Sequence, residues 1–551
     1  MTTPPSSPES TSTGTQASES TSNVQASLQT GARPFGDIAL SLSGGGYRAA
    51  AFHLGVLDLL NELRLLKGVT LLSTVSGGTI TGAKYVLDEL SGTDYETFRV
   101  QMRDFLRDVD VVRESTNNLY NEAGALQGRA LSLIRTAAQV YADKLVGDTR
   151  FSKILADGER FKELTFNATE FRTGVAFRFL ASRSSDARFG NGNLWVHQNV
   201  IPHIRVADVI AASSCFPGAF EPIIFPDDFC WRSANALTLD EVRRLLHENF
   251  SQGVPLMDGG IYDNQGFSSL ELAGDRLTTE IGLIIISDTN QRSEPLYVSP
   301  TQTRRGWLSL GSWRFAGIGV AVLSLATWIA LIIQFFRQVA AARTSPVRFI
   351  TGDPLGFLLL YLIPFILALS VFLLLLRLGS LMRRKRHLSI SGQSFDIWAI
   401  AKRLTIPDLI DLLETRFGSL FAMASSVFLK RVRALLLNSA ARDEDYRNKL
   451  MFNVLYEMNL PHPSLYKKAP WLRPLKFLTD SATAAERVDT NLWSTDVKQL
   501  DNLITCGRAT TCFNLLWFLI DKRSIQLDDP NSAESELFKR AKAIWDGFNK
   551  S

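Results

Sequence analysis

The two residues of this chain best suited to chemistry are a serine and an aspartate, each set among glycines. Ser76 lies in Thr74-Val75-Ser76-Gly77-Gly78, between the apolar run 69–75 and a helix-like stretch over 79–90. A serine between a strand and a helix, with small neighbours, is typical of a nucleophile elbow, in which a tight turn exposes the hydroxyl. Asp258 follows a short apolar run and is followed in turn by Gly259 and Gly260. Taken alone, an Asp-Gly pair is most often a turn with no chemical role.

A glycine-rich loop precedes the serine. Ser43-Gly44-Gly45-Gly46-Tyr47-Arg48 follows a predicted strand, 38–42, and precedes a predicted helix, 49–63. Glycines let backbone N–H groups turn toward an anion at a helix N-terminus, where the helix dipole also favours negative charge, and Arg48 adds a positive charge. Together with the serine turn, this loop predicts acyl-ester hydrolysis. Taken alone, it has three interpretations: an oxyanion hole, a cradle for a nucleotide phosphate, or a turn that only packs tightly.

These motifs occur in a defined order, with Ala211-Ala212-Ser213-Ser214-Cys215-Phe216-Pro217-Gly218 ahead of the aspartate. The glycine loop, the serine turn, the small-residue segment and Asp-Gly-Gly together resemble the patatin-like phospholipase family, which is related to the catalytic domain of cytosolic phospholipase A2. The resemblance covers roughly residues 35–290. Two residues depart from the family pattern: Thr74 replaces the glycine two places before the nucleophile, and Ala49 replaces the last glycine of the first motif.

The resemblance implies a three-layer α/β domain with a central, mostly parallel sheet. It also implies a Ser76–Asp258 dyad, in which the aspartate takes the proton of the serine directly, and hydrolysis of a lipid acyl ester of the phospholipase or lysophospholipase type. No metal or cofactor is expected. The expected oxyanion hole comprises Gly44, Gly45, Gly46 and Arg48, and the glycines expected to support the elbow and the acid turn are Gly77, Gly78, Gly259 and Gly260.

A Ser-His-Asp triad is the main mechanistic alternative, because it places a histidine between acid and serine. The chain has six histidines, and neither of the two that follow Asp258 lies in a motif-like setting. His53, in the predicted helix after the glycine loop, is the nearest rival. We interpret it as a packed or partly exposed helix residue.

Composition narrows the class of protein. The net charge of +4 is too weak to indicate nucleic-acid binding, and the four cysteines show neither metal-site spacing nor a disulfide framework, which favours a reduced intracellular state. The first 33 residues are rich in Ser, Thr, Gln and Pro. Such a segment cannot bury enough apolar surface to fold, and it lacks the features of a signal peptide, so we expect a disordered tail.

Two uncharged apolar runs, 315–336 and 355–376, are each long enough to cross a bilayer as a helix. More arginine and lysine flanks the outer ends of the pair than the connecting loop, so a hairpin with both termini in the cytoplasm is predicted. Membrane lipids would then be both substrate and anchor. Neither run contains an ionisable residue, which argues against transport through the hairpin.

The predicted organisation has four parts: a disordered tail (1–33), a hydrolase domain (34–297) with helical insertions around 91–161, a transmembrane hairpin (298–387) and a helical C-terminal region (388–551). The apolar run 513–520 is too short to span a bilayer and is predicted to be buried. A second hypothesis is a catalytically silent membrane scaffold of the same fold, in which Thr74 spoils the elbow.

Overall fold

The computed structural model describes most of the chain. The described residues are 33–121, 132–156, 159–231, 237–246, 250, 252–277, 279–290, 310–342, 387–390, 393–396, 405–423, 427–489, 493 and 496–548, with isolated positions between 366 and 377. They divide into two compact units, the first reaching residue 294 and resuming at 425, the second lying between. Apart from Arg33, the predicted tail lies outside the described residues, as does the second predicted span apart from the isolated positions.

A mixed sheet of eight strands forms the centre of the first unit. Its strands are β1 (Asp37–Leu42), β2 (Val69–Val75), β3 (Glu163–Glu170), β4 (Val175–Ser182), β5 (Ile223–Phe225), β6 (Val254–Asp258), β7 (Ile281–Asp288) and β10 (Leu450–Val454). Parallel pairing runs through the order β10-β7-β1-β2-β3, whereas β4 and β6 pair antiparallel with β3, and β5 pairs antiparallel with β6. The prediction of a mostly parallel sheet is therefore correct for the part that carries the glycine loop and the elbow. Beyond β3 the pairing is antiparallel: β4 follows β3 after the short connection 171–174, whereas β5 and β6 enter the sheet after longer segments. Two further strands, β8 (His387–Ile390) and β9 (Gln393–Asp396), lie in the second unit.

Helices cover both faces of this sheet. The described helices are α1 (Gly46–Glu62), α2 (Gly77–Leu90), α3 (Tyr95–Asp108), α4 (Val111–Asn121), α5 (Leu133–Tyr141), α6 (Ser152–Leu155), α7 (Val206–Ser213), α8 (Leu239–Leu245), α9 (Gly260–Asp263), α10 (Phe267–Leu277), α11 (Leu310–Ala342), α12 (Ile406–Ala422), α13 (Phe428–Arg442), α14 (Glu444–Arg447), α15 (Pro463–Lys468), α16 (Lys476–Glu486), α17 (Val497–Lys522), α18 (Ser524–Asp528) and α19 (Ala533–Phe548). The helical insertion predicted around 91–161 is present as α3 to α6.

The alternation of side chains along β1 shows the layering. Leu40 and Leu42 point into the large core shared with α1, α2 and α17, while Ala39 belongs to a smaller core that contains Phe267 of α10 and Ala440 of α13. Successive residues of a strand face opposite sides of a sheet, so both faces are buried, as expected for the parallel part of an α/β domain.

The C-terminal region is joined to the sheet in two places. Its strand β10 pairs with β7, so the region predicted as helical also adds a strand to the sheet. Its helix α17 crosses α1 at two glycines: a Cβ atom on Gly55 would lie 2.1 Å from the Ile504 carbonyl oxygen, and one on Gly507 would lie 2.1 Å from that of Phe52. Only glycine permits so close an approach of two helix backbones.

Apolar helices occur in both units. Helix α17 is long and apolar enough to cross a membrane, but most of its apolar stretch is buried inside the protein. The predicted burial of 513–520 is confirmed for its large side chains, including Phe513, Leu516 and Leu519. In the second unit, the first predicted span falls within α11, a continuous helix of 33 residues; β8 and β9 form a hairpin.

Candidate active site

The serine and the aspartate come together because two strands meet end to end on β3. Strand β2 runs parallel to β3 and ends where Val75 pairs with Asn167. Strand β6 runs antiparallel to β3 and ends where Asp258 pairs with Ala168. Because β4 pairs with β3 along its whole length, β2 and β6 must share the other edge, and their carboxyl ends face each other there.

Ser76 occupies a strained turn directly after β2. Its φ of 51° and ψ of −121° lie in a region that non-glycine residues seldom adopt, and such strain is typical of functional turns. Gly77 and Gly78 follow because there is no room for side chains: a Cβ atom on Gly77 would lie 2.0 Å from the Gly46 carbonyl oxygen, and one on Gly78 would lie 2.3 Å from that of Leu42. This geometry is that of a nucleophile elbow, packed directly against the glycine loop.

The Ser76 side chain interacts with the carboxyl group of Asp258 and favours its charged form. Both residues are buried, and burial raises the pKa of Asp258 from 3.8 to about 6, against the opposing effects of Ser76, the Gly260 N–H and the more distant Arg433. The Gly260 N–H donates to Asp258 Oδ1 at 2.7 Å and so orients the carboxyl group. A carboxylate of raised pKa in contact with a serine hydroxyl can serve as a general base near neutral pH.

The aspartate turn is braced by the small-residue segment. The Asp258 N–H donates to the Cys215 carbonyl at 2.9 Å and the Gly259 N–H to the Ser213 carbonyl at 3.3 Å, while Thr169 Oγ1 donates to the Asp258 carbonyl at 2.8 Å. A Cβ atom on Gly259 would lie 2.4 Å from the Asn167 carbonyl oxygen. The end of α7 thus fixes the backbone on which the carboxyl group stands.

The glycine loop presents its N–H groups in a fixed direction. The Gly44 carbonyl accepts from Thr289 Oγ1 at 3.0 Å and from Asn264 Nδ2 at 3.4 Å, and the Gly44 N–H donates to the Asn264 carbonyl at 2.9 Å. Because a trans peptide is planar, the Gly45 N–H points away from those donors. Within the described part of the chain, neither Gly45 nor Gly46 uses its N–H in a hydrogen bond, so both N–H groups can receive an anion.

Arg48 makes contacts other than those expected of an oxyanion-hole residue. Its guanidinium donates to the carbonyl oxygens of Thr289 at 2.8 Å, Val488 at 3.0 Å and Glu486 at 3.1 Å. Burial, together with the nearby positive charge of Arg433, lowers the pKa of Arg48 to about 10. The side chain therefore remains charged at neutral pH and ties the start of α1 to the C-terminal region.

His53 is fully buried in α1, and its ring lies beside that of Phe52. Burial lowers its pKa to about 3, so the imidazole is neutral at physiological pH. Of the described histidines, none has a hydrogen bond to Ser76 or Asp258. Among the described residues, Ser76 and Asp258 are therefore neighbours without a histidine between them, and the interpretation of His53 as a packed helix residue agrees with its position.

Four residues that surround the site were not predicted to take part in it. Asn264 and Thr289 hold the glycine loop, Asn167 lies at the junction of β2 and β6, and Arg433 of α13 donates to Asn290 Oδ1 at 2.9 Å and lies 4.0 Å from Asp288 Oδ1. Asn264 could have been suspected, because it follows the Asp-Gly-Gly motif by a few residues. The others lie on separate elements, and their spacing carries no signal.

Comparison with known proteins agrees with this geometry. Residues 40–270 match the family model described as patatin-like phospholipase. This segment is a patatin-like phospholipase domain. No curated protein sequence matches the chain. Among solved structures, the chain is similar to human GIVD cytosolic phospholipase A2, with 17% identity and a TM-score of 0.30 over 48% of this chain and 45% of that one. It is also similar to VipD from Legionella pneumophila, with 12% identity and a TM-score of 0.22 over 94% and 91%. The match spans less than half of the human enzyme, and scores this low carry no argument.

Proposed function

We propose that the chain is a serine lipid acyl hydrolase that uses the Ser76–Asp258 dyad. The observation that carries the proposal is the interaction of the strained Ser76 with the buried carboxyl of Asp258, beside two glycine-loop N–H groups that have no partner among the described residues. Asp258 takes the hydroxyl proton as Ser76 Oγ attacks the ester carbonyl. The alcohol leaves with that proton, and a water molecule, activated by the same carboxylate, then hydrolyses the acyl-Ser76 intermediate.

The N–H groups of Gly45 and Gly46 stabilise the oxyanion in both steps. The N–H of Gly44 is already bonded to Asn264 and the guanidinium of Arg48 to backbone carbonyls. We therefore assign these two a structural part, holding the loop that carries the donors. Gly77, Gly78, Gly259 and Gly260 allow the close backbone packing of the two turns.

Labelling with a fluorophosphonate probe tests the nucleophile. The wild-type protein should be labelled and Ser76→Ala should not. Ser41→Ala is the matched control, because Ser41 is a buried strand serine whose hydroxyl has no hydrogen-bond partner among the described residues. Wild-type protein that is folded but resists labelling would instead favour the silent scaffold. The substrate would then be identified by measuring the release of fatty acid from phospholipid vesicles, lysophospholipid micelles and triglyceride emulsions, with wild type compared against Ser76→Ala.

We further infer that the chain is anchored in a membrane by the runs 315–336 and 355–376. The supporting observation is α11, whose 33 residues span roughly 50 Å at 1.5 Å per residue, more than the apolar thickness of a bilayer. Large apolar side chains along it are exposed, including Val322, Leu323, Ile329 and Phe336. In this proposal the hydrolase site lies next to its water-insoluble substrate.

Cysteine accessibility tests the orientation. A cysteine replacing Thr344, between the two runs, should react with an impermeant thiol reagent only from the non-cytoplasmic side, and one replacing Ser12 only after the membrane is opened. The reverse pattern would invert the orientation, and release of the protein by alkaline carbonate would contradict the anchor.

A further inference from the structure

Thr74 stands where the family pattern has glycine, yet the elbow keeps its strained geometry. The Thr74 side chain is fully buried. Its methyl group lies over Gly82 of α2, where a Cβ atom would come within 2.6 Å of Thr74 Cγ2. The absence of a side chain at residue 82 therefore makes the room that Thr74 needs.

The Thr74 hydroxyl begins a chain of buried hydroxyl groups. Thr74 Oγ1 lies 2.9 Å from Thr79 Oγ1, Thr79 Oγ1 lies 2.7 Å from Ser213 Oγ, and Ser213 Oγ donates to the Asn167 carbonyl at 2.6 Å. Since a carbonyl cannot donate, the Ser213 hydroxyl must use its single O–H to donate to the Asn167 carbonyl. Thr79 must then donate to Ser213, and Thr74 to Thr79, so each proton has one direction.

The chain also includes the backbone of the nucleophile. The Ser76 N–H donates to Ser213 Oγ at 3.0 Å, so Ser213 accepts two hydrogen bonds and donates one. Asn167, whose carbonyl accepts the last hydrogen bond of the chain, also holds the elbow through its side chain, because Nδ2 donates to the Thr74 carbonyl at 2.9 Å. Hydrogen bonds thus hold the peptide on both sides of Val75.

We propose that Thr79 and Ser213 are positioning residues for Ser76, and that Thr74 completes their hydrogen bonding. This inference rests on the proposed hydrolase function. In this chain each hydroxyl donates in one direction only. The orientation of the Ser213 hydroxyl is therefore fixed, and one of its lone pairs is left to accept the hydrogen bond from the Ser76 N–H. The strained Ser76 peptide is then held in place, with its hydroxyl presented to Asp258. Thr74 therefore does not disrupt the elbow but helps to hold it, through its hydrogen bond to Thr79.

The test compares Thr79→Val, which removes the hydroxyl at nearly constant shape, with Thr79→Ser, which keeps it. Thr81→Val is the matched control, since Thr81 lies on the same helix, is buried and donates to the Ala50 carbonyl at 2.8 Å. For each variant, kcat and KM on a soluble p-nitrophenyl ester, the rate of fluorophosphonate labelling and the melting temperature are measured.

Thr79→Val should lower kcat and the labelling rate by about 10- to 100-fold with little change in KM, because a small misplacement of a catalytic group costs this much. Thr79→Ser should recover most of the loss. Thr81→Val should lower the melting temperature to a similar extent and leave kcat near that of the wild type.

Equal kcat values for Thr79→Val and Thr81→Val would overturn the proposal. If Thr79→Val fails to fold, Thr74→Val against Thr74→Ser decides: a loss of kcat in the valine variant alone supports the chain, and equal kcat values overturn it. Wild-type protein that is neither labelled nor hydrolytic would overturn the proposed function itself, and this inference with it, so the two failures are distinguishable.

Discussion

Two turns of this domain have the same layout and opposite use of their N–H groups. The glycine loop connects β1 to α1, and the elbow connects β2 to α2, so both lie at the carboxyl ends of adjacent parallel strands. In the loop, the N–H groups of Gly45 and Gly46 are left without partners in the described structure. In the elbow, the N–H of Ser76 is occupied by Ser213.

This difference shows how one backbone geometry serves two chemical tasks. Any strand-to-helix turn directs N–H groups at what lies beyond the helix N-terminus. Where those donors are free they can receive an anion, and where one is bonded the turn is fixed and presents its side chain instead. The two turns also touch, since the Gly46 carbonyl leaves no space for a side chain at Gly77. A change in one should therefore be felt in the other.

Removing the Ser76 hydroxyl or the Asp258 carboxylate should give the largest effect on activity. Ser76→Ala and Asp258→Asn should each lower kcat by on the order of 10⁴-fold or more, and the double variant should lose no more than the worse single one, because nucleophile and base act as one unit. Initial rates on an ester substrate for all three variants measure this. Asp258→Asn with most of its activity, or losses that multiply, would contradict the dyad.

The next effect is expected at the glycine loop. Gly45 has a φ of +145°, and a Cβ atom there would lie 2.5 Å from Thr289 Oγ1, so Gly45→Ala should move the loop and its donors. Loss of one oxyanion donor typically costs about 10²- to 10³-fold in kcat. KM should change little, because the donors act on charge present only in the transition state.

Gly92→Ala serves as the control for this variant. Gly92 also has a positive φ, of +72°, but a Cβ atom there would meet nothing within 4 Å, so backbone strain alone should leave kcat unchanged. A Gly45→Ala protein that hydrolyses normally but no longer binds a nucleotide would favour the phosphate-cradle interpretation.

Titration of Asp258 should give a smaller effect, on stability as well as rate. Its pKa in the folded protein, about 6, lies above its ordinary value of 3.8. The favourable contribution of the protonated form is complete below pH 3.8 and is lost as the pH rises through about 6. The charged carboxylate thus lowers the free energy of unfolding at pH 7.5 by up to about 3 kcal/mol.

Asp258→Asn removes this titration. The variant should be more stable than the wild type at pH 7.5, and the difference should shrink toward pH 4, as measured by urea unfolding at each pH. In the wild type, kcat/KM should fall about tenfold per pH unit below about pH 6, because the base becomes protonated. A variant no more stable than the wild type at any pH would show that burial of the carboxylate carries no such cost.

The comparison of the two turns also shows how far the sequence alone leads. Both turns could be predicted, because an apolar strand, glycines and an apolar helix follow one another within a few residues. The contact of Ser76 with Asp258 rests on the family resemblance, since the meeting of β2 and β6 depends on their register along β3. The space for the Thr74 side chain likewise depends on Gly82, which lies eight residues later in the chain, in helix α2.

The edge strand of the sheet, β10, could not be predicted from the sequence for a different reason. Strand β10 has Asn453 in the middle of its apolar residues, which interrupts the pattern expected of a buried strand. The structure accounts for this polar residue, because Asn453 Nδ2 donates to Thr511 Oγ1 of α17 at 3.0 Å and to Ser287 Oγ of β7 at 3.2 Å. A side chain whose partners lie on distant elements gives no local signal in the sequence.

The smallest expected effect concerns the support of the glycine loop from the C-terminal region. Helix α1, which begins in the loop, is crossed by α17 at Gly55, where a Cβ atom would overlap the Ile504 carbonyl. Alanine is favoured over glycine in a helix by roughly 1 kcal/mol, so Gly547→Ala in α19, where a Cβ atom would meet nothing within 4 Å, should be neutral or stabilising. Gly55→Ala should instead lower the free energy of unfolding by about 1–3 kcal/mol, because the two helices must separate. Urea unfolding of both variants measures the contrast, and kcat of the folded Gly55→Ala protein should fall less than that of Gly45→Ala, since the strain reaches the loop only through α1. If Gly55→Ala is as stable as Gly547→Ala, the helices can move apart without cost, and the C-terminal region does not hold the loop in place.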